Sequence, residues 1–233
     1  MLAGLLACVP LRAGAQAPLW QQDFEQQTPG GRPAGWAYGW GSPGDDLLVI
    51  SNMRAASGRQ SLLLDRMGEN EAHSGCFTRL PEVTAGWAVL SWCFLVQGQG
   101  HDAAFGIEIR EASLKTRVVS IGVGDRRVRL TDANYGNAVG LGQYEGDQWY
   151  RVTLWLPTQD GAQKQAWGEL EGRDEEGLWK LVGPRQAVPW AGGAPQYGAP
   201  MVDTTPGKRN YLLFLDDLRL ETRAVGAEGA PPV

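Results

Sequence analysis

The residues of this chain that could do chemistry are carboxylates and aromatic rings, and their spacing narrows what each can do. Two aspartates, Asp216 and Asp217, stand side by side in the closing segment Tyr211-Leu-Leu-Phe-Leu-Asp-Asp-Leu-Arg-Leu-Glu221. Strand alternation puts Leu212, Phe214, Asp216, Leu218 and Leu220 on one face, with Leu213, Leu215, Asp217, Arg219 and Glu221 on the other. A bare carboxylate among leucines is costly or takes up a proton, so Asp216 requires amide donors, an arginine or a metal ion. Glu169 and Glu171 share a face of another strand. Glycoside hydrolysis uses two carboxyls about 5 Å or about 6.5–9.5 Å apart, but this pair reads as a solvated strand face. A lyase needs a base, Tyr or His, beside an Arg or Asn that neutralises a uronate. Tyr135, Tyr144, Arg151 and His101 supply the types, and no spacing ties them together. His73 and His101 are isolated, with no His-x-His or His-Glu-x-x-His, which argues against a transition-metal site. Neither a Gly-x-Ser-x-Gly elbow nor a phosphate-cradling loop occurs.

Aromatic rings can cover the apolar faces of sugars. The loop-borne pool is Trp36, Tyr38, Trp40, Tyr135, Tyr144, Trp190 and Tyr197, of which two or three are expected to be exposed; Trp87, Trp92, Trp149 and Trp155 lie in or at the start of strands and read as core. In Trp36-Ala-Tyr-Gly-Trp40 an extended backbone would set three rings on one side, about 6.5–7 Å apart. Tyr38 and Trp40, helped by Tyr135, are therefore the expected carbohydrate contact, with Asp132, Asn134 and Asn137 of the later Gly-rich loop reading hydroxyls.

The elements that must position these residues are strands. Leu19 to Glu25 opens the series, and Leu47–Ser51, Gln60–Asp65, Phe105–Arg110, Thr116–Val123, Arg127–Thr131, Trp149–Leu156, Lys164–Glu171 and Leu178–Val182 continue it. Ala88 to Val96 is apolar throughout, which suggests a central strand covered on both faces. About a dozen strands without a helical pattern predict an all-β domain, a jelly roll of two antiparallel sheets face to face. A hairpin folded about Thr84 and Ala85 would set Cys76 opposite Cys93. The disulfide expected there would close a loop of about 16 residues, worth roughly 3 kcal/mol; the alternative is two separately buried thiols.

The chain has 233 residues, 43% of them apolar, with 32 glycines, 14 prolines and ten tryptophans, and no linker divides it. A net charge of −5 argues against a phosphate-binding surface, so nucleic acid is not an expected partner. Residues 1–15 read as a secretory signal, extending to 17 if cleavage follows Ala17; residues 16–225 form one domain and 226–233 a tail. Leu5-Leu-Ala-Cys8 also resembles a lipobox, a weaker alternative that would anchor the protein at Cys8. No second hydrophobic span is present. The expected product is a monomer at the cell surface, in the periplasm or outside the cell.

Asp23-Phe24-Glu25, Gly35-Trp36, Ala55-Ala-Ser-Gly-Arg-Gln-Ser-Leu62 and the terminal Asp216-Asp217 occur in an order that resembles secreted carbohydrate-binding modules and is similar to concanavalin A-like or laminin-G-like domains. The likeness covers about 45 residues at the front and ten at the back. It implies a structural calcium ion with Glu25, Gly58 and Asp216 or Asp217 as ligands; the other reading is that the aspartates cap turns or pair with Arg219. Glucanases of this fold carry a Glu-x-Asp-x-x-Glu strand, which this chain lacks. The function expected is binding of a polysaccharide without catalysis. A polysaccharide lyase or glycoside hydrolase on the same fold is the alternative, and an envelope adhesion domain is the third.

Overall fold

The computed structural model describes residues 17–40, 48–65, 75–98, 104–111, 113, 115–158, 164–190, 199–204 and 211–224. The expected signal segment up to residue 16, Cys8, His73, His101, Tyr197 and the 226–233 tail lie outside the described residues. Among the described residues sixteen strands follow one another: β1 (Trp20–Gln22), β2 (Trp36–Trp40), β3 (Leu48–Ser51), β4 (Ser61–Asp65), β5 (Gly75–Thr78), β6 (Trp87–Gly98), β7 (Ala104–Arg110), β8 (Arg117–Gly124), β9 (Arg127–Asp132), β10 (Ala138–Gln143), β11 (Trp149–Pro157), β12 (Gln165–Arg173), β13 (Trp179–Leu181), β14 (Gln186–Pro189), β15 (Ala199–Thr204) and β16 (Tyr211–Arg223). They form two antiparallel sheets. One has nine strands in the order β13-β12-β11-β6-β16-β4-β3, with β14 also on β12 and β1 also on β16; the other runs β10-β9-β8-β7-β15-β5-β2.

The two sheets share one core because strand alternation turns a row of branched and aromatic side chains inward from each. Phe105, Ile107 and Ile109 of β7, Val119, Ile121 and Val123 of β8, and Val128 and Leu130 of β9 meet Leu90, Trp92, Phe94 and Val96 of β6. Phe94 is fully buried, stacks on Tyr150 at 5.5 Å and meets Phe105 and Tyr144 edge-on at 5.8 and 6.1 Å. Tyr144 thus belongs to the core and not to the exposed aromatic pool. The continuous apolar run of β6 has the expected cause, since its other face is covered too. There Cys93 and Leu95 pack with Ala56, Leu63, Trp149 and Phe214, and Trp87 and Val89 pack with Trp155. All four strand-borne tryptophans expected in the core are buried.

The hairpin expected between Cys76 and Cys93 does not form. β5 lies between β15 and β2 in the seven-stranded sheet, whereas β6 lies at the centre of the other, and residues 79–86 carry the chain across. Cys76 faces the shared core. Trp92 and Phe94 take the inward face of β6, so Cys93 between them points outward, and the two cysteines are not bonded to each other. Burial pushes the Cys93 thiol far up, and the charges of Asp217 and Asp216 add to it.

Strand β16 is the hub. β6 borders it on one side along its length, while on the other β4 pairs with Leu212–Leu215 and β1 with Leu218–Leu220. Between those partners the register shifts, from Asp216 opposite Cys93 to Arg219 opposite Ser91. The extra residue is Asp217, at φ +51°. The shift resets the alternation: Tyr211, Leu213 and Leu215 face the core before it, Leu218 and Leu220 after it. Simple counting by twos therefore placed Leu218 and Leu220 beside Asp216 in error, because a bulge adds one residue to the strand.

Asp216 is buried and takes three amide donors: Ala56 N–H (2.8 Å) and Ser57 N–H (3.1 Å) on Oδ2, and Asp217 N–H (2.8 Å) on Oδ1. Ser57 Oγ donates to Asp217 Oδ1 at 2.8 Å. Glu25 Oε1 accepts the next two amides of the same turn, Arg59 (2.8 Å) and Gln60 (2.7 Å). Gly58 sits between the two carboxylates at φ +62°, and a Cβ there would lie 2.5 Å from the Glu25 carboxyl. Glycine is required on both counts.

Two outcomes follow from these contacts. Phe94→Ala removes a ring packed against both sheets and is expected to cost about 3–5 kcal/mol in denaturant unfolding. Burial, foremost, pushes Asp216 up to about 7, against the pull of the Ser57, Asp217 and Ala56 amides. A carboxyl raised on folding contributes stability in full at pH values below its unfolded pKa and loses it as pH rises through the folded one. Between about pH 4 and 7 this group should lower stability with rising pH by at most about 1.4 kcal/mol per unit. Asp216→Asn should remove that slope, as read from urea midpoints across this range.

Candidate functional site

The outer face of the seven-stranded sheet carries a groove because three adjacent strands place small or polar residues there. On β7 the core residues alternate with Gly106, Glu108 and Arg110; on β8 with Ser120, Gly122 and Gly124; on β9 with Arg127, Arg129 and Thr131. Register aligns these into cross-strand rows. Glu108 stands beside Ser120 and Ser120 beside Thr131, while Gly106 stands beside Gly122 and Gly122 beside Arg129. Gly140 of β10 is the next neighbour of Arg129. The resulting depression has a volume of about 270 Å³. Its floor is bare backbone at Gly106, Gly122 and Gly124, and a Cβ added at Gly122 would meet nothing within 4 Å.

One wall of the groove is a closed polar network around Glu108, whose side chain is only 4% exposed. Arg110 donates to its Oε2 through Nε (2.8 Å) and Nη2 (2.5 Å), and Arg117 Nη1 donates to Oε1 at 3.1 Å. The Tyr135 hydroxyl donates to the same Oε1 at 2.8 Å. Burial works against the charged carboxylate, but Tyr135, Arg110 and Arg117 more than offset it and hold Glu108 below the usual range. Arg117 also reaches the Ala133 carbonyl, and its guanidinium carbon lies 3.2 Å from the Tyr135 ring centroid.

Tyr135 is held at the rim by its own loop. Asp132 Oδ1 accepts the Asn134 and Gly136 amides at 3.1 and 2.9 Å, and Oδ2 accepts Asn137 Nδ2 at 2.6 Å. The Asn137 bond, first among these contacts, holds the Asp132 carboxyl below its usual range. This bracing lets Tyr135 adopt φ +58° with 58% of its surface exposed. Of the residues expected to meet sugar, Tyr135 and exposed Asn134 lie at this rim. Asp132 and the Asn137 amide nitrogen are engaged in holding the loop. Tyr38 pairs in register with Cys76, and Trp40 with Gly75 after a shift; their side chains lie outside the described residues. Trp36 packs against the core and donates Nε1 to Gln22 at 2.9 Å.

Glu108, Arg110, Arg117, Arg127 and Arg129 were not singled out from sequence. The signal was present in the alternation of Phe105-Gly-Ile-Glu-Ile-Arg110 and of Arg127-Val-Arg-Leu-Thr131, which puts the polar residues of each on one strand face. Glu169 and Glu171 lie on the outer face of the other sheet, each with an arginine: Arg185 at 3.0 Å and Arg151 at 2.7 Å. Arg151 is therefore committed to Glu171, on the sheet opposite Tyr135, and Tyr144 is interior, so the lyase parts drawn from sequence do not assemble.

The residues named for calcium do converge on the 56–60 turn, but they do not fit the ion. Ca²⁺ is held by a shell of oxygens, whereas five backbone N–H groups point at the Glu25 and Asp216 carboxylates. Among the described residues no group of three or more His, Cys, Asp or Glu could hold a metal ion. The capping reading accounts for these contacts.

No protein-family model matches the sequence, and no curated protein is similar to it. Solved structures are. An alginate lyase of family PL-14 from Aplysia kurodai superposes with a TM-score of 0.59 at 9% identity, over 89% of this chain and all of that one. The catalytic domain of a glycoside hydrolase family 131 protein from Coprinopsis cinerea gives 0.56 at 13%, over 92% and 100%. A CBM2 module from the evolved Dit of Lactobacillus casei BL23 phage J-1 gives 0.51 at 10%, over 87% and 94%. The fold is a concanavalin A-like β-sandwich. At such identities the likeness extends to the fold, and any activity must be argued from the groove.

Two outcomes test the site as built. Glu108→Gln leaves Arg110 and Arg117 close together without their buried counter-charge, and is expected to cost about 3 kcal/mol or more in denaturant unfolding. With amides as the partners of Glu25 and Asp216, excess chelator should leave the melting temperature unchanged; a fall restored by Ca²⁺ would show that the turn binds the ion.

Proposed function

We propose that this protein is an exported, non-catalytic polysaccharide-binding β-sandwich whose sugar chain lies in the groove across the seven-stranded sheet. The observation that carries this reading is the glycine floor of the groove, Gly106 beside Gly122 with Gly124 one row along, bounded on the β9 side by Arg129 and Arg127. Side chains on β7 and β8 would otherwise fill this surface, and their absence leaves a depression in which a sugar chain can approach the backbone. Tyr135 at the rim offers an exposed ring, and Asn134, exposed beside it in the same loop, offers an amide.

A second reading, a polysaccharide lyase, is favoured by one observation: an exposed phenol is hydrogen-bonded to a buried carboxylate, with two arginines beside it. In that reading Tyr135 would exchange the proton and the arginines would stabilise the developing anion.

Gly122→Phe tests the groove directly. The ring has open space to enter, so the melting temperature should hold while retention on immobilised polysaccharides is lost. Retention unchanged in the variant would place binding elsewhere. Release of unsaturated uronate from a polysaccharide panel, absent in Tyr135→Phe, would replace the binding reading with the lyase.

A further inference from the structure

The groove has two unlike walls, and the difference bears on which glycan it takes. At the Glu108 wall the charges are satisfied internally, because Arg110 and Arg117 both reach that carboxylate. On β9 the situation is reversed. Arg127 and Arg129 are exposed on the groove side, and their side chains make no hydrogen bond or ion pair within the described residues. The groove lining holds two carboxylates, Glu108 and Asp125, and Glu108 is already bound by Arg110 and Arg117, on a protein whose net charge is −5. A neutral glucan or xylan would give two such guanidinium groups little to do. An acidic polymer would supply carboxylates, which match the guanidinium fork.

Placement supports the same conclusion. Arg127 and Arg129 are two apart on one strand face, so their stems stand about 6.5–7 Å apart along β9. Arg129 belongs to the glycine row that floors the groove, and Arg127 to the neighbouring row with Gly124. The Arg129 guanidinium thus rises at the end of the Gly106–Gly122 floor, and the Arg127 guanidinium rises on the same flank one row along β9.

Resting on the groove reading above, we infer that the ligand is an anionic polysaccharide whose acid groups are carboxylates, a uronate polymer, and that Arg127 and Arg129 are the residues that select it. Sulfate esters are the other anionic chemistry that arginine could accept, so the test must separate the two.

Binding is measured by affinity electrophoresis and calorimetry on the full chain with polygalacturonate, alginate, the same polygalacturonate after carboxyl reduction, dextran sulfate and a neutral β-glucan. The expected result is retention by at least one uronate polymer, at least tenfold weakening on carboxyl reduction and in the Arg127→Ala/Arg129→Ala variant, and affinity that falls with salt. The melting temperature should not change, since neither side chain holds another element. Arg127→Lys/Arg129→Lys should recover part of the affinity. Equal binding of the reduced polymer, or full affinity in the Ala variant, overturns the uronate inference and leaves the groove reading standing. Tighter binding of dextran sulfate than of either uronate assigns the arginines to sulfate and overturns it too. Failure to bind any polymer overturns the groove reading itself.

Discussion

The fold turns on one buried carboxylate. Asp216 sits where β16 exchanges its neighbour, β4 giving way to β1, and the edge of the central strand is there left without a ladder partner. The 56–60 turn fills that gap, and its Ala56 and Ser57 amides are the donors that Asp216 accepts. Arg173 of β12 binds the Ala56 carbonyl at 2.9 Å from the far side of the sheet. First strand, turn, last strand and β12 are thereby tied at one point by groups far apart in sequence. A carboxylate is suited to this because it offers several acceptor sites and no donor, and a turn presenting consecutive N–H groups needs such a partner. The cost is desolvation, visible in the raised pKa of Asp216.

The bulge at Asp217 has a second effect. It rotates β16 by one residue, so the strand contributes Leu213 and Leu215 and then Leu218 and Leu220 to one core without interruption. Without the extra residue, one half of the strand would turn its leucines to the outer face, where Arg219 and Glu221 now stand. The sandwich can close over thirteen residues of β16 because the carboxylate pair absorbs the change of phase.

This also marks the limit of what the sequence could reveal. Strand alternation depends on near neighbours, so the two-sheet architecture, the doubly covered β6 and the core tryptophans were legible. The phase change was not, because a bulge adds a residue without altering composition; only the adjacent Asp216-Asp217 hinted that the strand was interrupted. The Cys76–Cys93 pairing failed for a related reason. Two strands that follow one another with a short connection usually pair, but in a sandwich the same length also crosses between sheets, and local sequence does not distinguish the two. Tyr135 and its loop were legible from turn chemistry. The groove that Tyr135 borders was not, since Glu108, Arg117 and Arg129 come from three strands and become neighbours only through register.

The two outer surfaces show how register decides chemistry. On the nine-stranded sheet, Arg151 meets Glu171, Arg185 meets Glu169 and Arg223 meets Glu221, while Arg185 lies over Trp155 at 4.0 Å. Opposite charges there fall side by side and satisfy each other, and exposed pairs of this kind add little stability. On the seven-stranded sheet the same residue types are arranged differently. Glu108 faces Ser120 and Thr131 across the strands, and glycine takes the positions facing Arg129. No carboxylate lies in the rows that contain Arg127 and Arg129 among the β7, β8 and β9 positions that face them. Among the described residues Arg127 and Arg129 have no side-chain hydrogen bond or ion pair, and their place beside a bare backbone floor follows from the register. A surface built this way presents exposed guanidinium groups on one strand beside an open backbone floor.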